Sequence, residues 1–316
     1  MSWGRAYFAI QAIAGAAWWA AVFVFPPVRV ATLGNLDPAV IAILDIPLFV
    51  VGSALAASGL KAAAVATTAW TLIVTVALGV YATMTGEAGW GVLLMSVSAG
   101  GSLLALSLTL IGRVPTEWII AGPFGFRPAD MRARPAVHLM LTALEIVIFW
   151  GLFLGVIPFV LSGLELRWGL GIPFPAATRP VGVVVLVFAS ALGLWSAAVM
   201  SRIGGGTPLP AAMPNRLVIA GPYRVVRNPM ALASIAQGVA VGLLLSSWLV
   251  VLYAISGALL WNYAVRPHEE RDLEARFGDE FQRYRAAVRC WWPRLRPYVP
   301  APAGNEPSKF VGEVTS

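Results

Sequence analysis

The chain is poor in charged residues and has a single cysteine. Charged side chains make up 12% of its 316 residues, about half their share in an ordinary soluble domain, which excludes that class of protein. The one cysteine, Cys290, excludes an intrachain disulfide, and its basic and aromatic neighbours indicate a reduced thiol with a packing role. No metal-ligand pattern and no basic, aromatic nucleic-acid module is recognisable, so we expect neither a metal nor a nucleic-acid partner.

Hydrophobic residues, at 59% of the chain, instead predict an all-α, polytopic membrane protein. Apolar windows near the ~20 residues that a bilayer requires mark about eight transmembrane helices. The windows lie at 6–25, 40–59, 62–84, 91–112, 136–161, 180–201, 230–246 and 248–265. The last two are short and are separated only by Ser246, Ser247 and Trp248, which predicts a tight helical hairpin.

The distribution of arginine predicts the topology. The loop 113–135 contains four arginines: Arg113, Arg127, Arg132 and Arg134. The positive-inside rule places this loop in the cytoplasm. Counting helices in both directions then puts residues 202–229 and 266–316 on the same side and the Pro26-Pro27 turn outside. We therefore expect a multi-pass protein of the cell membrane with both termini in the cytoplasm.

These patterns divide the chain into four parts. Residues 1–112 form an N-terminal four-helix membrane region, and the cytoplasmic loop 113–135 follows it. Residues 136–298 form a membrane core that carries the polar segments described next. In the tail, 299–316, the proline, glycine and serine content rises and periodicity stops, which predicts disorder.

Two polar segments interrupt the apolar pattern of the membrane core. The first polar segment, 215–230, contains a Gly221-Pro222 turn, where the proline ring fixes φ and a tight bend costs little. The second polar segment, 266–293, begins with an arginine followed by the adjacent carboxylates Glu269 and Glu270. Because an apolar hairpin joins the two segments, we expect them to converge on one membrane face.

This pairing resembles the isoprenylcysteine carboxyl methyltransferase and phospholipid methyltransferase family of integral membrane enzymes. The resemblance lies in Gly-Pro-Tyr-Arg-x-x-Arg-(His or Asn)-Pro from Gly221, then two helices, a Glu pair and a closing Val-Arg-x-Trp-x-Pro that ends at Pro293. It covers about the last hundred residues and implies S-adenosylmethionine bound at the cytoplasmic membrane surface. The implied cofactor contacts are Leu217, Val218, Tyr223, Asn228, Pro229, Met230, Ala231 and Glu269. Asn228 stands where many members have His, and Ala231 where many have Tyr.

The chemistry of S-adenosylmethionine suits these residue types, because its site needs an anion, a cation and an apolar or aromatic surface. Glu269, with Glu270 as a second candidate, can face the ammonium, and Arg227 or Arg224 can bind the carboxylate in a charge-assisted bond. The alternative is that the arginines only record topology and the carboxylates begin a solvated helix. We favour that alternative for Arg224 and Glu270, and a binding role for Glu269, Arg227 and Asn228.

The methyl acceptor is less constrained by the sequence. The resemblance implies that Arg266 lies near the acceptor. A carboxylate acceptor arrives deprotonated and needs no base, whereas an amine or thiol must lose a proton, for which His268 and Glu270 are the nearby candidates. Glu145, about ten residues into the fifth window, lies near mid-bilayer and is either a substrate contact or a protonated group bonded to a neighbouring helix.

The second polar segment also predicts an amphipathic helix. Its apolar side chains recur at three- and four-residue spacing: Leu273, Phe277, Phe281, Tyr284 and Val288. The helix is continuous or is a pair broken at Gly278, where Asp279 and Gln282 resemble a capping arrangement. It either covers the cofactor or lies on lipid headgroups.

The sequence thus predicts a membrane methyltransferase that uses S-adenosylmethionine on an acceptor entering from the bilayer. Prenyl-cysteine carboxylates, phospholipid amines and other lipids all remain open as acceptors. The alternatives are a methyltransferase of small thiols, a membrane NADPH-dependent reductase of the sterol type, and a binding protein that has lost activity. The oligomeric state and the role of the first four helices stay open.

Overall fold

The computed structural model describes residues 2–118, 140, 143–144, 147–204 and 215–300. All regular structure in these residues is helical and none of them lies in a strand, which confirms the predicted all-α class. The helices are α1 (Trp3–Val24), α2 (Pro26–Leu33), α3 (Pro38–Ser58), α4 (Lys61–Thr85), α5 (Gly89–Leu110), α6 (Val147–Arg167), α7 (Thr178–Gly204), α8 (Pro229–Leu245), α9 (Trp248–Leu260) and α10 (Arg266–Ala287).

Within this part of the chain, seven helices are long and apolar enough to cross a membrane. The apolar part of the last of them is α9, which a π-helical turn, Trp261–Val265, joins to the charged α10. Helix α8 is apolar but has only 17 residues, which fits the short hairpin helix expected from the sequence. A multi-pass membrane protein follows from the number and composition of these helices.

The windows predicted from hydrophobicity are helical where the structure describes them, with two local differences. The Pro26-Pro27 turn is in fact the start of the short helix α2, because proline is tolerated in the first turn, where its missing N–H costs no hydrogen bond. Helix α6 ends at Arg167, later than the predicted residue 161. Glu145, most of the loop 113–135 and residues 301–316 lie outside the described residues.

The N-terminal helices belong to one compact unit, whose described residues lie within Met1–Ala121, Phe149–Val184 and Gly238–Leu259. Small side chains let these helices approach closely, as lipid supplies no hydrophobic force between them. Ala56, Ala64 and Ala105 thus surround the fully buried Phe8.

The hairpin between α8 and α9 is anchored in the same unit by a buried carboxylate. Glu165 of α6 accepts hydrogen bonds from the Ser247 hydroxyl and, at 3.0 Å, from the backbone N–H of Leu249. The first N–H groups of a helix have no partner inside it, so Glu165 satisfies one of them at the start of α9. On the facing surfaces of the hairpin, a Cβ at Gly238 would lie 2.8 Å from that of Ala254, so the close contact requires glycine.

The second compact unit contains the two polar segments, and its described residues lie within Gly122–Ile148, Val185–Gln237 and Leu260–Ser316. After α10 the chain runs beside the first polar segment. Backbone N–H groups of Arg294 and Tyr298 donate to the carbonyls of Val225 and Arg224 at 2.9 and 2.8 Å. The predicted amphipathic stripe is confirmed: it forms a cluster with Leu217. Gly278 breaks α10 with φ 50° and ψ −129°.

Candidate functional site

An ion pair joins the two polar segments. The Arg227 guanidinium lies 2.7 Å from the Glu270 carboxylate, and the two side chains are only 13% and 20% exposed. Arg227 also donates a side-chain bond to the Arg285 carbonyl at 3.2 Å and a backbone bond to the Arg289 carbonyl at 3.0 Å. The convergence expected from the hairpin is therefore present in the second unit, with Arg227 at its centre.

The turn of the first polar segment fixes Tyr223. Gly221 has φ +53°, a conformation that other residues rarely adopt, and an added Cβ there would lie 3.1 Å from the Val199 side chain. The following 3-10 turn directs Tyr223 inward, where it is 4% exposed. The Tyr284 hydroxyl donates to the Tyr223 carbonyl at 2.6 Å. Tyr223 thus forms one wall of the candidate site and is linked to α10 by this hydrogen bond.

Asn228 begins helix α8. Its Oδ1 accepts a hydrogen bond from the backbone N–H of Ala231 at 3.0 Å, and its carbonyl accepts from Leu232 at 3.2 Å. This is the N-cap arrangement, in which a short polar side chain satisfies one of the unpaired donors of the first turn. Pro229 occupies the next position, where its fixed φ suits the helix. Asn228 therefore has a local structural role.

Glu269 carries the most perturbed carboxyl group of the polar segments. Part of the residue reaches the surface, but protein atoms enclose the carboxyl. The pKa of Glu269 is raised to about 7, chiefly by burial and then by the neighbouring Glu270 carboxylate, against the opposing effect of Arg227. Burial, with smaller effects of Tyr284 and Glu269, also raises the pKa of the Tyr223 hydroxyl.

Arg266 opens α10 with a donor that has no hydrogen-bond partner among the described residues. Its Nε is buried, and the nearest carboxylate oxygen, on Glu270, is 3.8 Å away, beyond hydrogen-bonding distance. Burial raises the pKa of the Cys290 thiol, and the Arg266 guanidinium partly offsets that effect. A buried donor of this kind suits an anionic ligand.

The two candidate bases are both engaged elsewhere. The Nδ1 of His268 lies 2.8 Å from an Arg271 guanidinium nitrogen and must accept its hydrogen, because arginine only donates. Glu270 is held by Arg227 and lies near Arg266, both cationic.

The remaining predicted cofactor contacts lie on the same segment. Leu217 packs against the cluster of Phe281, Tyr284 and Val288, and Val218 is 5% exposed. Met230 and Ala231 are half-buried in the first turn of α8. The structure thus brings the first polar segment and α10 together. Arg224 contributes structurally, since its Nε donates to the Tyr298 carbonyl at 2.7 Å.

Several contacts of the site were not foreseen. The Trp291 indole donates to Asn262 at 2.9 Å and packs edge-on against Trp261. These residues fasten the π-helical turn to the segment that follows α10. The Tyr223 hydroxyl lies 3.9 Å from the sulfur of Met200 in α7. The closing Val-Arg-x-Trp-x-Pro pattern of the sequence singled out Trp291, but nothing in the sequence indicated that Asn262 would be its hydrogen-bond partner.

Comparison with known proteins gives one match. Residues 178–280 match the family model described as phospholipid methyltransferase. The matched range extends from the start of α7 to the Glu pair and beyond Gly278, which confirms for this part of the chain the resemblance drawn from the two polar segments. No curated protein and no solved structure matches the chain. The match and the apolar helices together support a methyltransferase embedded in a membrane.

Proposed function

We propose that the protein transfers a methyl group from S-adenosylmethionine to a membrane-borne acceptor. The observation that carries the proposal is the neighbourhood of Glu269 and Arg266 inside the family match: a buried carboxyl with a raised pKa and a buried guanidinium donor without a partner. A buried carboxyl suits the ammonium of the cofactor's amino-acid moiety, and a buried guanidinium donor suits an anionic group of the acceptor.

The residues of the site divide the parts of this cofactor between them. Glu269 faces the α-ammonium, and Tyr223 with Val218 supplies the buried wall for the adenine. The first turn of α8 offers backbone N–H groups and the positive end of the helix to the α-carboxylate. Arg227, which we expected to bind that carboxylate, is committed to Glu270 and the Arg285 carbonyl, and its proposed role is to hold the two segments at the right separation.

Methyl transfer requires little of the protein beyond positioning the acceptor and excluding water. When bound, S-adenosylmethionine supplies a methyl group on a sulfonium; as the acceptor's lone pair forms the new bond to carbon, the S–C bond breaks and leaves a neutral thioether. The protein excludes water and aligns the acceptor with the S–C bond. A carboxylate acceptor needs no base. For an amine or thiol, His268 or Glu270 would have to leave its arginine partner before it could accept the proton.

Arg266 is proposed to fix the acceptor's polar head. Its long side chain begins at the end of the π-helical turn and can lie along apolar surface while the guanidinium stays polar. A guanidinium can bind a carboxylate or phosphate through two parallel bonds, which the single ammonium of lysine cannot reproduce. The proposed acceptors are therefore lipids with an anionic group near the reacting atom.

The experiment combines Arg266→Lys with a panel of prenylated, phospholipid and small thiol acceptors. We expect Arg266→Lys to raise the apparent KM for a lipid acceptor or lower turnover, while the calorimetric affinity for S-adenosylmethionine stays near that of the parent. Arg271→Lys on the same helix is the matched control and should change neither. Preference for small thiols would contradict the lipid assignment, and an Arg266→Lys enzyme with parental kinetics would contradict the role of Arg266.

The same calorimetry separates the alternative functions. Binding of NADPH without binding of S-adenosylmethionine would favour the reductase, and binding of neither would favour a protein that has lost activity.

The proposed face is cytoplasmic, because four arginines, Arg202, Arg216, Arg224 and Arg227, lie in or next to the first polar segment. Glu145 stays a proposed acceptor contact.

A further inference from the structure

The N-terminal unit contains a cavity that the methyltransferase site does not use. It has a volume of about 590 Å³, well within the size range of small-molecule pockets. Its wall comes from α1 to α5 and is mostly apolar, with Ile10, Leu44 and Ile73 among the lining residues. We call it the N-terminal cavity.

Asp45 is the one ionisable carboxyl group among the described residues that line this cavity. The residue is 4% exposed, and its two carboxylate oxygens accept hydrogen bonds from the indoles of Trp19 and Trp70 at 2.9 and 2.8 Å. Both donors are neutral. An ionisable group within a membrane-spanning helix is costly unless it serves a ligand or a partner, and each carboxylate oxygen can still accept a further bond.

The other polar side chains of the wall are largely satisfied by one another. Gln11 donates to Ser53 at 3.1 Å and accepts from Ser102 at 2.9 Å. The Tyr7 hydroxyl donates to the Ser98 carbonyl at 3.1 Å. The Gln11 amide and the Tyr7 hydroxyl are therefore hydrogen-bonded without a ligand.

Trp18 is different, because its indole nitrogen is buried and has no hydrogen-bond partner among the described residues. Its ring lines the N-terminal cavity and lies edge-on against Trp19, with 4.8 Å between ring centroids. Trp19 in turn donates to Asp45. The Asp45 carboxylate, which can accept further hydrogen bonds, and the unpaired Trp18 indole are thus both in contact with Trp19. Burying a donor such as the Trp18 indole without a partner costs free energy.

We propose that the N-terminal cavity binds a membrane-soluble lipid alcohol, with its hydroxyl at Asp45 and Trp18 and its hydrocarbon body along the apolar wall. A hydroxyl donates one hydrogen bond and accepts another, so it offers both the donor that suits the carboxylate and the acceptor that suits the indole. A charged amine only donates, and an ether or ester only accepts. An alkyl chain alone would satisfy neither polar group.

The test uses full-length protein in phosphatidylcholine nanodiscs and two photoreactive probes, a long-chain alcohol with a diazirine in its chain and the matched methyl ether. We expect the alcohol to label peptides of α1, α3 or α4 at least about tenfold more than the ether, because the ether cannot donate to the carboxylate. Equal labelling by the two probes would overturn the proposal, and so would stronger labelling by the matched long-chain amine.

Two variants separate binding from folding. Trp18→Phe removes a donor that makes no bond in the structure, so it should reduce alcohol labelling while the thermal unfolding temperature stays near the parent's. Ala77→Phe fills the cavity and should abolish labelling, whereas Val65→Phe, at a position on α4 outside the cavity wall, should not. Full labelling of the Ala77→Phe protein would overturn the proposal even if Trp18→Phe behaved as expected.

Discussion

The raised pKa of Glu269 makes cofactor affinity depend on pH. If Glu269 binds the α-ammonium of S-adenosylmethionine, only its ionised form binds well, and the apparent affinity follows the ionised fraction. With a pKa of about 7, that fraction rises from about 3% at pH 5.5 to about 50% at pH 7.0. We therefore expect the affinity to increase about fifteenfold over this range.

The pH range ends at 7.0 because the ammonium group of the cofactor itself loses its proton at higher pH. α-Amino groups have a pKa of about 7.7–8.0, so the ammonium keeps its charge below pH 7 and the change reports on the protein. Isothermal calorimetry of the detergent-solubilised protein measures the affinity. Repeating it in buffers with different ionisation enthalpies counts the proton released on binding, which should approach one per site at pH 5.5.

Two variants identify the titrating group. Glu269→Gln removes the charge and should lower affinity at pH 7 by about 1–3 kcal/mol, the usual cost of leaving a buried charged partner unsatisfied; it should also flatten the pH profile. Glu280→Gln, an exposed carboxylate on the same helix, should leave the profile unchanged. A parental profile in the Glu269→Gln protein would refute the assignment of Glu269 to the ammonium.

The other predictions concern stability and topology. Asn228→Ala should lower the free energy of unfolding by about 1 kcal/mol through loss of the N-cap, and Asn228→Asp should retain it, as measured by thermal unfolding in detergent. A double-mutant cycle of Arg227→Ala and Glu270→Ala should give a coupling of about 0.5–3 kcal/mol; a value near zero would mean that this ion pair does not hold the segments together. In a cysteine-free background, a cysteine at Arg216 should label only after permeabilisation and one at Ala39 in intact cells, and the reverse pattern would contradict the topology.

The helices were predictable because the thickness of a bilayer sets the length of an apolar window. The stripe from Leu273 to Val288 was also predictable, since helical periodicity alone puts those side chains on one face. The glycine at 278 was weighed as a break, and its positive φ accounts for it. These features depend on local sequence and on the solvent around the helix.

The pairing of charges was not predictable in the same way. Arg227 was assigned to the carboxylate of the cofactor and Glu270 to the start of a solvated helix, whereas the structure joins them to each other across 43 residues of sequence. Composition shows which charges are available, but the partner of each depends on where the segment before α8 and helix α10 direct their side chains. The bonds of Asp45 to Trp19 and Trp70 have the same origin, because they join three different helices.

Asn228 and Ala231, the two departures from the common pattern of the family, raised the alternative that activity has been lost. The structure connects the two residues, because the Asn228 side chain accepts a hydrogen bond from the backbone N–H of Ala231. Both departures therefore belong to the same N-cap of α8. Asparagine is among the best N-cap residues, and a backbone donor at 231 does not depend on the side chain there. The start of α8 is therefore well formed with these residues, and the surrounding carboxylate and guanidinium groups keep the charges that binding requires. These two departures therefore leave the local framework of the proposed site intact, which is compatible with the proposed activity.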